Sequence, residues 1–363
     1  YMDGGLVLEQ GGIVEFMGLL GRNAAYRPKR RRGPIVRWFE ALRHEVNARK
    51  ASRANVAHHY DLGDELYRRF LDEDMQYSCA YFARPDMTLE EAQLAKKRHI
   101  ASKLKFDRPD LEVLDIGCGW GGMALTLAEE TGAQVDGVTL STEQLARAQA
   151  RAEAKGLAGK ARFSLTDYRD VTGPYDRIVS VGMFEHVGVQ HYPEFFAKVN
   201  ALMADDGLML LHSIGHMSPP GTASPWLRKY IFPGAYSPAL SEVFPVVEQA
   251  SLWVTDLEFL RVHYAKTLRE WHGRFEANRT AIAAMYDERF CRMWEFYLIS
   301  AEMMFRTGSQ LVFHMQLARR RDAAPIVRDY LVETQRRYRA IEPERLKVLR
   351  EGQGATPAER AGG

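Results

Sequence analysis

Ten residues, VLDIGCGWGG at 113–122, constrain this chain of 363 more than any other stretch. An apolar run long enough for one strand, 113–116, ends in glycines at 117, 119, 121 and 122, and a helical pattern follows over 121–131. A strand that passes through a glycine turn into a helix brings bare backbone to the carboxyl edge of a sheet, where nucleotide-like cofactors are held. Gly117, Gly119 and Gly122 also satisfy the dinucleotide fingerprint, so the turn by itself leaves a nicotinamide enzyme open.

The same alternation continues downstream. Strand patterns at 134–140, 162–166, 176–181 and 208–213 are separated by helical patterns at 142–155 and 191–203. This specifies an α/β fold with a mostly parallel sheet covered on both faces. After Pro219-Pro220 a loop-rich, aromatic stretch runs to about 250. A strand at 253–260, helices at 266–278 and 286–305 and a last strand at 309–317 follow, and the charged tail from 319 reads as helical. Residues 1–25 read as a short strand or two and an apolar helix start, the end of a truncated N-terminal module, since the chain begins at Tyr1 and not Met.

Charge is balanced, 49 Lys and Arg against 47 Asp and Glu, but it is unevenly placed. Eleven of the basic residues fall between Arg22 and Arg53, against only Glu40 and Glu45. Within that segment Ile35, Trp38, Phe39, Leu42 and Val46 recur at helical spacing behind the run Lys29–Arg32, giving a basic amphipathic helix. Such a stripe faces an anionic membrane or simply packs as a linker on the main domain. Cys79, Cys118 and Cys291 are odd in number and far apart, which argues against a disulfide framework and fits a reducing cytoplasm. No apolar run approaches the ~18–20 residues that span a bilayer, so membrane contact is expected to be peripheral, at its inner face. His58 and His59 near Asp61 and Asp64 have no distant ligands to complete a metal site, and none is assigned.

Asp115 sharpens the glycine turn to D-x-G-x-G-x-G, which resembles motif I of the S-adenosylmethionine-dependent methyltransferases. A nicotinamide enzyme would want an acidic residue at the end of the second strand; QVDGVTLS ends instead in Thr139. Gln144 in TLSTEQ can supply the missing polar grip, although Ser141 and Gln144 also have capping-box spacing.

Six motifs in order, HHYDLGDELYRRFLDEDMQYSCAYF (58–82), VLDIGCGWGG, GVTLSTEQ (137–144), DYRD (167–170), GMFEHVG (182–188) and LLHSIG (210–215), resemble the cyclopropane-fatty-acyl-phospholipid synthase family, which includes the mycolic acid cyclopropane synthases. The resemblance implies a Rossmann-like class I methyltransferase domain over 55–330, the end of a lipid-associated module plus basic linker over 1–54, and a charged tail over 331–363. It implies methyl transfer from S-adenosylmethionine to the cis double bond of an unsaturated acyl chain in membrane phospholipid, and ring closure through a carbocation with bound bicarbonate as base. Around that anion it places Cys79, Glu185, His212, Ile214 and Tyr264, with Cys79 and Ile214 acting mainly through backbone. Around the cofactor it places Tyr77, Ser78, Asp115, Gly117, Gly119, Gly121, Thr139, Leu140, Gln144, Tyr168 and Arg169. No nucleic-acid partner is expected, and a homodimer is an oligomeric option.

The strand reading independently sends Glu185 and His212 to the same rim as the glycine loop, because each lies at the carboxyl end of a neighbouring strand. Three alternatives remain open: a methyl-branched or methylene product instead of a ring, a nucleic-acid methyltransferase, and a non-catalytic lipid binder. GMFEHVG in place of [DNS]-P-P-[YFW] speaks against the second, and the intact Gly117, Gly119, Glu185 and His212 against the third.

Overall fold

The computed structural model describes residues 1–24, 63–221 and 224–340. The basic stripe, the Lys29–Arg32 run and the His58–His59 pair lie outside the described residues. Among the described residues, the helices α1 (Ile13–Ala24), α2 (Asp64–Phe70) and α3 (Leu89–Leu104) precede the first strand. The alternating part runs β1 (Glu112–Ile116), α4 (Gly122–Thr131), β2 (Gln134–Thr139), α5 (Thr142–Ala154), β3 (Ala161–Leu165), β4 (Tyr175–Val181), α6 (Tyr192–Leu202) and β5 (Met203–His216). There follow α7 (Pro225–Tyr230), α8 (Leu240–Gln249), β6 (Trp253–Phe259), α9 (His263–Ala277), α10 (Arg279–Met285), α11 (Glu288–Arg306) and β7 (Gln310–Ala318).

The strands form one sheet in the order β3-β2-β1-β4-β5-β7-β6. The first five are parallel, and β7 lies antiparallel between β5 and β6. Alternate residues of each strand serve opposite faces. Val113, Val135, Val179 and Leu210 pack under α3, α4 and α5. Leu114, Ile178, Met209 and Leu211 pack against Phe195 and Val199 of α6 and Val243 and Val247 of α8. A third, aromatic cluster joins α2, α9 and α11 around Tyr67, Phe70, Trp271 and Trp294 beyond the sheet edge. The α/β layers match the expectation from the alternation.

Two readings of the flanks are corrected. Residues 1–12 are turns and bends with no strand, and only the helix start became α1. The stretch after Pro220, read as loop-rich, contains the helices α7 and α8; Pro245 inside α8 breaks the helical signal that Val243 and Val247 otherwise supply. The N-terminal residues pack on α11: the Tyr1 hydroxyl donates to Glu295 Oε2 at 2.7 Å, and Arg289 pairs with Asp3 at 2.6 Å.

Candidate active site

Gly117, Gly119 and Gly121 leave β1 at φ +80°, +54° and +83°, conformations that side chains other than glycine rarely hold. A Cβ on Gly117 would strike Met183 Cβ at 2.7 Å, while nothing lies within 4 Å of one on Gly119, which borders a cavity of about 170 Å³. Gly121 does not line that cavity. A Cβ there would meet Phe163 Cζ at 2.8 Å and Ala148 Cβ at 3.0 Å, so its smallness lets α4 pack on β3 and α5.

The other ten expected cofactor residues all border this cavity. Asp115 on β1 is 1% exposed and its Oδ2 has no hydrogen-bond partner; burial raises its carboxyl to about 7. From the end of β2, the Thr139 hydroxyl donates to Gln144 Oε1 at 2.8 Å. The Gln144 backbone N–H donates to Ser141 Oγ at 3.3 Å, so Gln144 both lines the cavity and belongs to the cap of α5. Arg169 donates to both Asp167 oxygens, at 2.9 and 2.6 Å, and lies 5.7 Å over the Tyr168 ring. Asp167, 4% exposed, also lines the cavity and was missed. Its place just past the carboxyl end of β3 is the signal that could have found it.

Across Tyr77 and Ser78 lies a second cavity of about 1460 Å³. Cys79, Glu185, His212, Ile214 and Tyr264 all stand in its wall, brought together from the segment before α3, the turn after β4, β5 and the start of α9. The rest of the wall is rich in apolar and aromatic groups, among them Leu227, Phe232, Leu268, Phe296 and Phe305, and Met2, Leu6, Met17 and Leu20 arrive from the N-terminal residues. Tyr77, Ser78, Gly182 and His186 belong to both cavities.

Glu185 sits on the short turn Phe184–His186 after β4 and is 7% exposed. Its Oε1 accepts from the Ile214 N–H at 2.7 Å, its Oε2 has no partner, and burial raises the carboxyl to about 7. The backbone N–H of Ile214 is thus directed at Glu185, a donor that a buried carboxylate needs. Burial and the nearby Lys96 and Lys103 lower His212 well below the usual histidine range, so its ring is neutral. The Cys79 thiol donates to the Ala80 carbonyl at 3.3 Å, and burial pushes its pKa up, which leaves it a poor nucleophile. The Tyr264 ring packs edge-on against Trp271 and tilted against Phe305.

Behind the shared wall, Lys96 of α3 is fully buried and donates to Gln76 Oε1 at 2.6 Å and Ser78 Oγ at 2.8 Å. No sequence signal pointed to it, because a lysine in a helix is ordinarily a solvated face.

The mycolic acid cyclopropane synthetase family profile matches residues 47–315. This chain belongs to that family. Curated relatives are similar over about two thirds of the chain or more. The cyclopropane-fatty-acyl-phospholipid synthase of Escherichia coli K12 is 43% identical over 248 residues, covering 68% of this chain and 63% of that one. A probable fatty acid methyltransferase of Pseudomonas putida is 40% identical over 260 residues, 70% and 66% of the two chains. The chain therefore spans just under two thirds of the length of these curated relatives. The solved mycolic acid cyclopropane synthase CmaA1 complexed with SAH and CTAB superimposes with a TM-score of 0.69 at 36% identity, over 73% of this chain and 97% of that one. For this member of the mycolic acid cyclopropane synthetase family, the Rossmann-like methyltransferase fold is thereby shown.

Proposed function

We propose that the chain moves the methyl group of S-adenosylmethionine to the cis double bond of an unsaturated acyl chain in membrane phospholipid, and that a cyclopropane ring results. The observation that carries this reading is the wall shared by a small cavity at the glycine loop and a large, mainly apolar one holding Glu185 and His212. The first fits the cofactor: Gly119 leaves room for backbone approach, and the unpartnered Asp115 Oδ2 suits a ligand with cationic groups. Bound there, S-adenosylmethionine would supply an electrophilic methyl group. The second is large enough for a long chain, and its mainly apolar wall disfavours water beside a cationic carbon.

Bicarbonate suits the far side of that wall. Glu185, His212, Cys79, Ile214 and Tyr264 would hold it, and it would supply a base for the proton lost in ring closure. Glu185, raised to about 7, can carry a proton and donate it from Oε2, so an anion beside it meets a hydrogen bond and not a second full negative charge. Docking on the bilayer is assigned to Lys29–Arg32 and the apolar stripe that follows; among the described residues no helix is long and apolar enough to cross a membrane.

Vesicles of defined cis-unsaturated phospholipid, incubated with the protein and methyl-labelled cofactor, test the reading. A labelled acyl chain heavier by one CH2 and lacking its double bond is expected. Label in a methyl-branched or methylene chain would shift the product assignment, and an unlabelled lipid would overturn the function.

A further inference from the structure

His212 and His314 are directly opposed residues of the antiparallel pair β5 and β7, and His314 is in turn opposed to Glu258 on β6. The three side chains therefore form a row across one face of the sheet. His212 Nδ1 and His314 Nε2 are 2.7 Å apart, and both residues are at most 2% exposed. From α3, which covers this face, Lys103 Nζ reaches Glu258 Oε2 at 2.6 Å and His314 Nδ1 at 3.4 Å, with Asp256 Oδ1 at 3.6 Å. His99, one turn earlier, meets Glu258 Oε2 at 2.6 Å through Nε2 and stacks on Tyr81 at 4.1 Å.

We propose that His314, backed by Lys103, is a positioning residue that fixes His212 in the tautomer with its proton on Nε2, presenting an N–H donor to the large cavity. A neutral imidazole has one donor nitrogen and one acceptor, and which is which follows from the bond the other nitrogen makes. The Lys103 ammonium, held by Glu258, can only donate, so His314 Nδ1 accepts. The proton of His314 then sits on Nε2 and points at His212 Nδ1, which must accept it. Only Nε2 of His212 remains to carry the ring's proton, and it is the nitrogen left to meet the cavity that His212 lines. The reverse arrangement would aim an N–H of His314 at an ammonium. Burial and the nearby lysines keep both rings neutral, as this logic requires. The same row brings donor atoms of His99, Glu258 and His314 within 4.8 Å of one another, but the Lys103 ammonium already occupies the place of a cation there.

The consequence rests on the proposed reaction: His212 is a hydrogen-bond donor to a small oxyanion in the cavity and not the base that takes the substrate proton. The first test needs no turnover. In protein labelled with 15N-histidine, the ring couplings of His212, assigned by their loss in His212→Asn, should show Nε2 protonated; protonation on Nδ1, or on both nitrogens, would overturn the proposal. The second test is kinetic. His314→Phe should lower kcat about 10- to 100-fold, the usual range for groups that orient an imidazole, while KM for lipid and cofactor affinity stay within about 2-fold. His314→Gln, which keeps a donor near the old Nε2 position, should recover most of the loss. A folded His314→Phe protein with parental kcat and an unchanged His212 tautomer would overturn the proposal. If the parent methylates no lipid, the proposed function fails, and the 15N spectrum alone decides this assignment.

Discussion

Glu185 Oε1 accepts the backbone N–H of Ile214 at 2.7 Å while Oε2 of the same carboxyl, equally buried, has no partner. Desolvation outweighs the hydrogen bonds that the carboxyl accepts, which raises it to about 7 from its ordinary 4.5. The sign of the stability effect follows. Between those two values the unfolded chain has lost this proton and the native chain has kept it, so stability falls as pH rises through the window. The full effect is about 3 kcal/mol. Urea midpoints measured from pH 4.5 to 8 should fall less steeply for Glu185→Gln than for the parent, and parallel curves would reject the assignment. In turnover, Glu185→Ala should lose most activity while cofactor affinity changes within a few-fold, because the carboxyl borders only the large cavity.

Gly119→Val should abolish S-adenosylmethionine binding in calorimetry, since it places a branched side chain at φ +54° on the cavity wall. Gly121→Val should show a different defect. Its Cβ would collide with Phe163 and Ala148, so the loss should appear first as a lower unfolding midpoint. Equal binding by folded Gly119→Val and parent would remove the glycine loop from the cofactor site.

Much of this arrangement was legible because the chemistry and the periodicity agree. The strand VLDI, its glycine turn and the helix after it are local, and Glu185 and His212 follow at the ends of the next strands in sheet order. What escaped reading depended on contacts distant in sequence. Helix α3 has no apolar stripe, because its buried positions include Lys96, His99 and Lys103, whose partners Ser78, Glu258 and His314 come from other elements. The His212–His314 pair exists only because β7 inserts between β5 and β6, an order that no single strand announces. The D-x-G-x-G-x-G pattern treats its three glycines alike; which of them borders the cavity depends on the path of the turn.

Trp271 is fully buried between Tyr77, Phe70 and Tyr264, with ring centroids at 5.1, 6.1 and 5.8 Å, and its indole N–H has no partner. Trp271→Ala should cost about 3–5 kcal/mol in urea unfolding. Trp271→Phe should cost far less, because it gives up no hydrogen bond. A phenylalanine variant as unstable as the alanine one would show that the indole nitrogen is held after all.

Changing Lys29, Arg30, Arg31 and Arg32 together to Gln should weaken binding to anionic vesicles, each charge being worth about 1 kcal/mol at the surface. The difference from the parent should shrink as salt is raised. Sedimentation of protein with vesicles at low salt measures it, and equal binding would move the docking surface elsewhere on the chain.

The wall of Tyr77, Ser78, Gly182 and His186 between the two cavities has a kinetic meaning. Under the proposed reaction, ligands in these two adjoining cavities would exchange a group directly, so neither product could form until both substrates are aboard. Steady-state rates measured at several fixed concentrations of either substrate should therefore give intersecting reciprocal plots, the pattern of a ternary complex. The neutral Cys79 thiol agrees with that, since an enzyme that hands the methyl group over in one move has no use for a side chain that stores it on the way.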